Sequence, residues 1–188
     1  MTTSHLPSRR VFLSHTAELA TFPEPPAQSF VAAAIDAVNR LGHVPVDMRY
    51  FAAAPETPAA DSVRAVRDCD VFLGIWGHRY GSIVPDDPER RSYTELEFDA
   101  ASLTGKRCLL FLLDGDGMLP RRFFDPETAE RQKALRDRGS HLIRKTFGTP
   151  EELGLEIVTA LATLPTAPAG RGTQYGDGRV QVNVFPPA

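Results

Sequence analysis

Two short, unbroken apolar runs, Asp70–Trp76 and Arg107–Leu113, most constrain what this chain can fold into. Each is strand length, rich in β-forming residues, and without the in–out alternation of a half-exposed strand. Strands of that kind are covered on both faces, as in parallel sheets sandwiched between helices. The surrounding segments supply the helices. Phe30, Ala34, Val38 and Leu41 recur at three- and four-residue steps in Gln28–Leu41, and Gly42 ends that pattern. Ala59–Arg67, Ser92–Thr104 and Pro126–Arg138 read as further helices. Thr149–Leu164 is a last amphipathic one, with Thr149 as cap, Pro150 in the first turn and Glu152 as a capping-box acid. Arg10–Ser14, His43–Val46 and His141–Phe147 complete five strands. Strand and helix alternate, so the expected architecture is α/β: a five-stranded, mostly parallel sheet with helices on both faces. In such sheets ligands bind beyond the carboxyl ends of the strands, where strand order reverses. That directs attention to Ser14–Pro26, Asp47–Pro58, Trp76–Ser92 and Asp114–Pro120.

The 188 residues divide into residues 1–9, a folded unit over 10–164, a Pro/Gly-rich linker over 165–178 and a strand-like tail over 179–188. With 42% hydrophobic and 24% charged residues, the chain has the composition of a globular domain. Its longest strongly apolar run, Cys108–Leu113, is too short to cross a bilayer, so no membrane partner is expected. A net charge of -3 carries no footprint for nucleic acid. Residues 1–10 lack the apolar core of a signal peptide, and two cysteines cannot staple a secreted scaffold; the cytoplasm is the expected compartment.

The five histidines are scattered and Cys69 and Cys108 form no Cys-x-x-Cys pair, so no metal site is expected. Asp114–Gly117 lacks the downstream glutamate of a calcium loop and reads as a turn. The segment Ser92–Ala101 is more informative. Ser92 and Glu95 have capping-box spacing, which gives Glu95 a structural task. Tyr93, Leu96, Ala100 and Leu103 define an apolar stripe, and Glu97 falls about 80° from its centre, on the border of the buried face. There burial raises a carboxyl pKa while the helix dipole lowers it, which suits a group that stabilises developing positive charge. Periodicity alone favours the plainer reading of Glu97 as a solvated acid in a surface ion pair. In Gly77-His-Arg-Tyr-Gly81, the glycines allow a tight turn, Arg79 can hold a phosphate, and Trp76 or Tyr80 can stack on a base; ordinary loop packing fits equally.

These residues resemble Toll/interleukin-1 receptor (TIR) domains. Val11–His15 is similar to their first strand, Asp70–Trp76 to their third, and Tyr93–Glu97 with Gly105-Lys106 to their third helix and fourth strand. The eight-residue step from Glu97 to Gly105 resembles that from catalytic glutamate to glycine in NAD-cleaving members. The likeness is greatest to bacterial TIR-like effectors that carry the GxRYG turn and the SYTELE helix start. Two features depart from the TIR pattern: the loop from Gly77 to Ser92 is longer, and Ser92-Tyr93 replaces a tryptophan–cysteine pair.

The resemblance implies a flavodoxin-like TIR fold and cleavage of the nicotinamide–ribose bond of NAD+, as substrate and not as cofactor, in a bacterial conflict or antiviral system. It implies Glu97 as catalytic residue and Ser14, His15, Trp76, Arg79, Tyr80 and Tyr93 as substrate contacts. It further implies self-association through the Asp47–Pro58 loop, with Tyr50 and Phe51 as contacts, and activation by assembly or a partner. Packing of those two rings back on the domain is an equal alternative. The tail, with Val180, Val182, Val184 and Phe185, fits a strand added to a sheet edge of a signalling ATPase or sensor protein. Folding back on its own domain fits as well. Two other functions stay open: a non-catalytic signalling adaptor, and a nucleoside deoxyribosyltransferase-like enzyme acting on free nucleosides.

Overall fold

Val11, Phe12 and Leu13 are fully or almost fully buried because their strand lies inside a sheet covered on both faces. The computed structural model describes residues 7–47, 57–114 and 119–165. Its strands are β1 (Arg10–His15), β2 (Val44–Val46), β3 (Val71–Trp76), β4 (Arg107–Leu113) and β5 (Ile143–Phe147). They form one sheet in the order β2-β1-β3-β4-β5, with every pairing parallel. This is the flavodoxin-like order, and its reversal point lies between β1 and β3. The α/β expectation therefore holds, and among the described strands the sheet is wholly rather than mostly parallel.

Six α-helices flank the sheet among the described residues: α1 (Ala17–Thr21), α2 (Phe30–Arg40), α3 (Pro58–Arg67), α4 (Tyr93–Leu103), α5 (Ala129–Gly139) and α6 (Pro150–Ala162). Side chains alternate across each strand, so Val11, Leu13, Leu73, Ile75, Leu109 and Phe111 face α2 and α6. Phe12, Phe72, Trp76, Leu110 and Leu112 face α3, α4 and α5. Ser29, Thr57, Ser92 and Thr149 cap α2, α3, α4 and α6, each accepting a backbone N–H at 3.2–3.3 Å. Helix α1, in a stretch where the sequence reading placed no element, has five residues and is too short to show a period. The last strand begins two residues later than expected because Ser140–Leu142 form a 3-10 turn. Tyr50, Phe51, residues 115–118 of the Gly-rich turn and the tail residues Val180, Val182, Val184 and Phe185 lie outside the described residues.

The orientation of α4 corrects the sequence reading. Its buried residues are Thr94, Glu97, Phe98, Ala100 and Ala101, while Leu103 is 88% exposed. The helix is turned by roughly a third of a revolution from the Tyr93–Leu96–Ala100–Leu103 stripe. Phe98 decides this: its ring packs edge-on against Trp76 at 5.2 Å and near Phe72 at 6.4 Å. Glu97 then faces inward with Phe98, and the surface ion-pair reading is excluded by burial to 6%.

Beneath Trp76 the backbone is bare. A Cβ on Gly74 would lie 2.5 Å from Leu110 Cδ2 and 3.0 Å from Trp76 Nε1. One on Gly139 would lie 2.6 Å from the same leucine and 2.9 Å from the Trp76 ring. Leu110 is thus hemmed in from both sides. The variant Gly74→Ala is expected to lose about 1–3 kcal/mol by overpacking, measured as a shift of the urea unfolding midpoint with unchanged slope.

Candidate active site

Three elements that are distant in sequence meet at one carboxylate. Ser14, next to last in β1, points toward α3 and α4 because it shares a pleat face with Phe12. Ser62 lies on the buried face of α3 with Ala65 and Val66, at helical steps of three and four. Glu97 faces both. The Ser14 hydroxyl donates to Glu97 Oε2 at 2.6 Å, and the Ser62 hydroxyl donates to Oε1 at 2.6 Å. Burial is the largest influence on the acid and pushes its pKa up to about 7, against the pull of the two hydroxyls and of His15. Asp47 acts in the same direction as burial.

Glu97 forms part of the wall of a cleft of about 280 Å³ at the carboxyl end of β1, beside the reversal point of the sheet. His15, Asp47, Ser62, Tyr93 and Thr94 also line it. Gly81, with φ of +97°, forms part of its surface, and a Cβ there would lie 3.1 Å from Thr94 Oγ1 and 3.3 Å from Thr16 Cγ2. The bare backbone at this turn therefore keeps the cleft open. His15 sits with Nε2 3.4 Å from Asp47 Oδ2 and Nδ1 3.1 Å from the Thr16 carbonyl oxygen.

Of the residues singled out in the sequence, Glu97, His15 and Tyr93 come together at the cleft. Ser14 is fully buried and grips Glu97 from the sheet side instead of lining the cleft. Trp76 and Tyr80 are buried to 1% in the core on the α3–α5 face, so neither presents a ring to this cleft. Trp76 is carried there by the β3 pleat, into the space left by Gly74 and Gly139. The Tyr80 hydroxyl donates to Glu95. Arg79 is half-buried outside the cleft lining and counters the burial of Glu18.

Ser92 caps the helix, but the Glu95 carboxylate does not return the hydrogen bond expected of it. The Glu95 N–H donates to the Ser92 hydroxyl at 3.2 Å, but the carboxylate turns to Tyr80 and Arg138. Ser62, Asp47 and Glu18 were not singled out. Ser62 was findable as a polar residue on the apolar face of its helix. Glu18, 3% exposed, accepts a hydrogen bond from the Thr16 hydroxyl at 2.5 Å, and burial raises its pKa. It belongs to the five-residue helix that has no periodic signature. Among the described residues no group of three or more His, Cys, Asp or Glu could hold a metal ion.

A buried acid of this kind costs stability as it ionises. The unfolded chain releases the Glu97 proton near pH 4.5, whereas the folded chain holds it to about 7. Between those values the unfolded state binds fewer protons, so stability falls as pH rises, then levels off above 7. The variant Glu97→Gln escapes this loss. Its stability advantage over the wild type is expected to grow between pH 4.5 and 7, reaching at most about 3 kcal/mol by linkage. Urea unfolding of both proteins at pH 5 and pH 8 checks it; an advantage that does not grow with pH contradicts it.

No curated protein matches the sequence. Among solved structures, the chain is similar to the TIR domains of the activated Roq1 resistosome directly recognizing the pathogen effector XopQ, with a TM-score of 0.53 and 11% identity over 82% of this chain and 99% of that one. It is also similar to the Clostridium botulinum CMP N-glycosidase BcmB, with a TM-score of 0.48 and 19% identity over 80% of this chain and 98% of that one. At 11% identity the likeness to the TIR domains concerns the fold alone. A family model described as "Domain of unknown function (DUF4062)" matches residues 27–162. That match takes in Ser62 and Glu97 with every described element from α2 to α6, and by it the chain is a member of the DUF4062 family.

Proposed function

We propose that this protein is a nucleotide N-glycosidase whose substrate is NAD+, with Glu97 as the catalytic residue. The observation that carries this reading is a carboxylate gripped on both oxygens by Ser14 and Ser62 and forming the wall of a cleft beside the sheet's reversal point.

Cleavage breaks the bond between ribose C1′ and the nicotinamide nitrogen. The electron pair goes to the nitrogen, so the pyridinium leaves as neutral nicotinamide and needs no acid. Positive charge develops across C1′ and the ring oxygen of the ribose. An ionised carboxylate held rigidly beside that carbon stabilises it without having to reorganise. Water then adds to C1′ and gives up a proton. A carboxyl with a pKa near neutrality is matched to accept it. Ser14 and Ser62 fix the carboxylate and favour its ionised form, since both hydroxyls can donate to it at once. Tyr93 and His15 at the cleft wall are the nearest candidates to contact the nicotinamide or ribose.

Self-association through the Asp47–Pro58 loop belongs to the same proposal, so turnover is to be followed across protein concentration. Nicotinamide release from NAD+, quantified by chromatography, is expected to fall at least about 100-fold in Glu97→Gln and about 10-fold in Ser62→Ala. The wild-type rate is expected to rise through pH 7 as Glu97 ionises. Undiminished release by Glu97→Gln would overturn the assignment of the acid. Release of free base from nucleosides but not from NAD+ would replace the substrate with that of a deoxyribosyltransferase-like enzyme.

A further inference from the structure

The cleft that contains Glu97 holds a second pair of ionisable groups. His15 closes β1, and Asp47 directly follows β2, the strand that pairs with it. Both side chains are nearly buried, at 6% and 3% exposure. Each ring nitrogen of His15 faces an oxygen acceptor: Nδ1 the Thr16 carbonyl at 3.1 Å, and Nε2 the Asp47 carboxylate at 3.4 Å. A neutral imidazole carries one N–H, so in either tautomer one nitrogen lone pair would be set against an oxygen. The imidazolium donates to both. A buried cation in turn needs a paired anion, and Asp47 is placed to be one.

We propose that His15 and Asp47 are positioning residues for Glu97: an imidazolium–carboxylate pair in the cleft wall whose cation favours the ionised form of Glu97 and whose anion holds that cation in place. This rests on reading Glu97 as the reactive acid. The charged neighbours on each packed element are consistent with the assignment. From β1 come the Ser14 hydroxyl and His15, and from the segment after β2 comes Asp47. From α3 comes the Ser62 hydroxyl, while Asp61 on that helix is paired with Arg64 at 2.6 Å. On α4 itself Tyr93 shares the cleft wall. Glu18 on α1 also feels His15, but it has Arg79 and the Thr16 hydroxyl besides. His15 is thus the one cationic side chain among the described lining residues of the cleft.

The test reads Glu97 directly and needs no substrate. The full chain is labelled with 13C at the glutamate carboxyl carbons, the Glu97 signal is identified by its loss in Glu97→Gln, and it is titrated from pH 4 to 9. In His15→Gln the midpoint is expected to move up by roughly one pH unit, because the cation is gone while the Asp47 carboxylate stays in the cleft wall. Adding Asp47→Asn to that variant is expected to bring the midpoint back down. His15→Arg, which keeps a cation, is expected to stay near the wild type. Should His15→Gln not fold, His15→Asn serves the same comparison. A midpoint that stays or falls in His15→Gln, or that rises as much in His15→Arg, overturns the proposal. The expected shifts without any NAD+ turnover would instead overturn the substrate and leave the pair standing.

Discussion

A carboxylate taken out of water must be held by donors or it stays protonated, and the Ser14–Glu97–Ser62 contact is where this chain meets that demand. The contact depends on the whole layer. Ser14 faces Glu97 only because β1 is pleated with Phe12 and Ser14 on one side. Ser62 faces it because α3 packs Ala65 and Val66 against the same sheet face. Glu97 itself is turned inward by the neighbouring Phe98, whose ring is locked against Trp76. Rotate α4 by one residue and the carboxylate leaves both hydroxyls. The packing of an aromatic cluster and the placement of an ionisable group are thus one constraint seen from two sides.

The outer side of α4 is fastened as well. Arg138 bridges Glu95 and Asp99 from α5, and Arg91 reaches Asp99 at 3.5 Å and Asp87 at 2.8 Å. Arg131 donates to the carbonyls of Glu89 and Arg90 and lies over the Tyr80 ring. The segment between β3 and α4, irregular in the sequence, is therefore tied to α5 along its length, with a single antiparallel bridge from Ile83 to Ser92. Exposed ion pairs contribute little individually. As a network they fix the start of α4, and with it the depth at which Glu97 enters the layer.

Much of the fold was legible in the residues. Asp70–Trp76 and Arg107–Leu113 read as central strands because continuous apolar runs have few other uses at that length, and the structure places strands there. Caps at Ser92 and Thr149 located two helix starts. The facing of α4 was not legible, because Leu96 and Leu103 supply an apolar stripe that the fold leaves partly or largely in water, while Thr94 and Glu97 go inside. Periodicity measures which residues dislike water; it does not register a polar group that is buried with its partners. Asp47 escaped for the same reason, since its meaning lies in its contact with His15 of β1, whereas Ser62 left a trace as a polar residue on an apolar helix face. Trp76 and Tyr80 erred in the opposite direction, since aromatic residues beside a glycine turn suit a ligand and a core equally well.

The partners of Glu97 lie 83 and 35 residues away along the chain. Before β1, α3 and α4 have come together, Glu97 is an ordinary water-exposed acid with no cleft around it. A nascent chain, a proteolytic fragment or a locally opened form lacking any one of the three carries no assembled centre. The reactive group is in this sense a reporter of completed folding: it comes into being with the tertiary structure and is lost with it, well before the sheet itself must come apart.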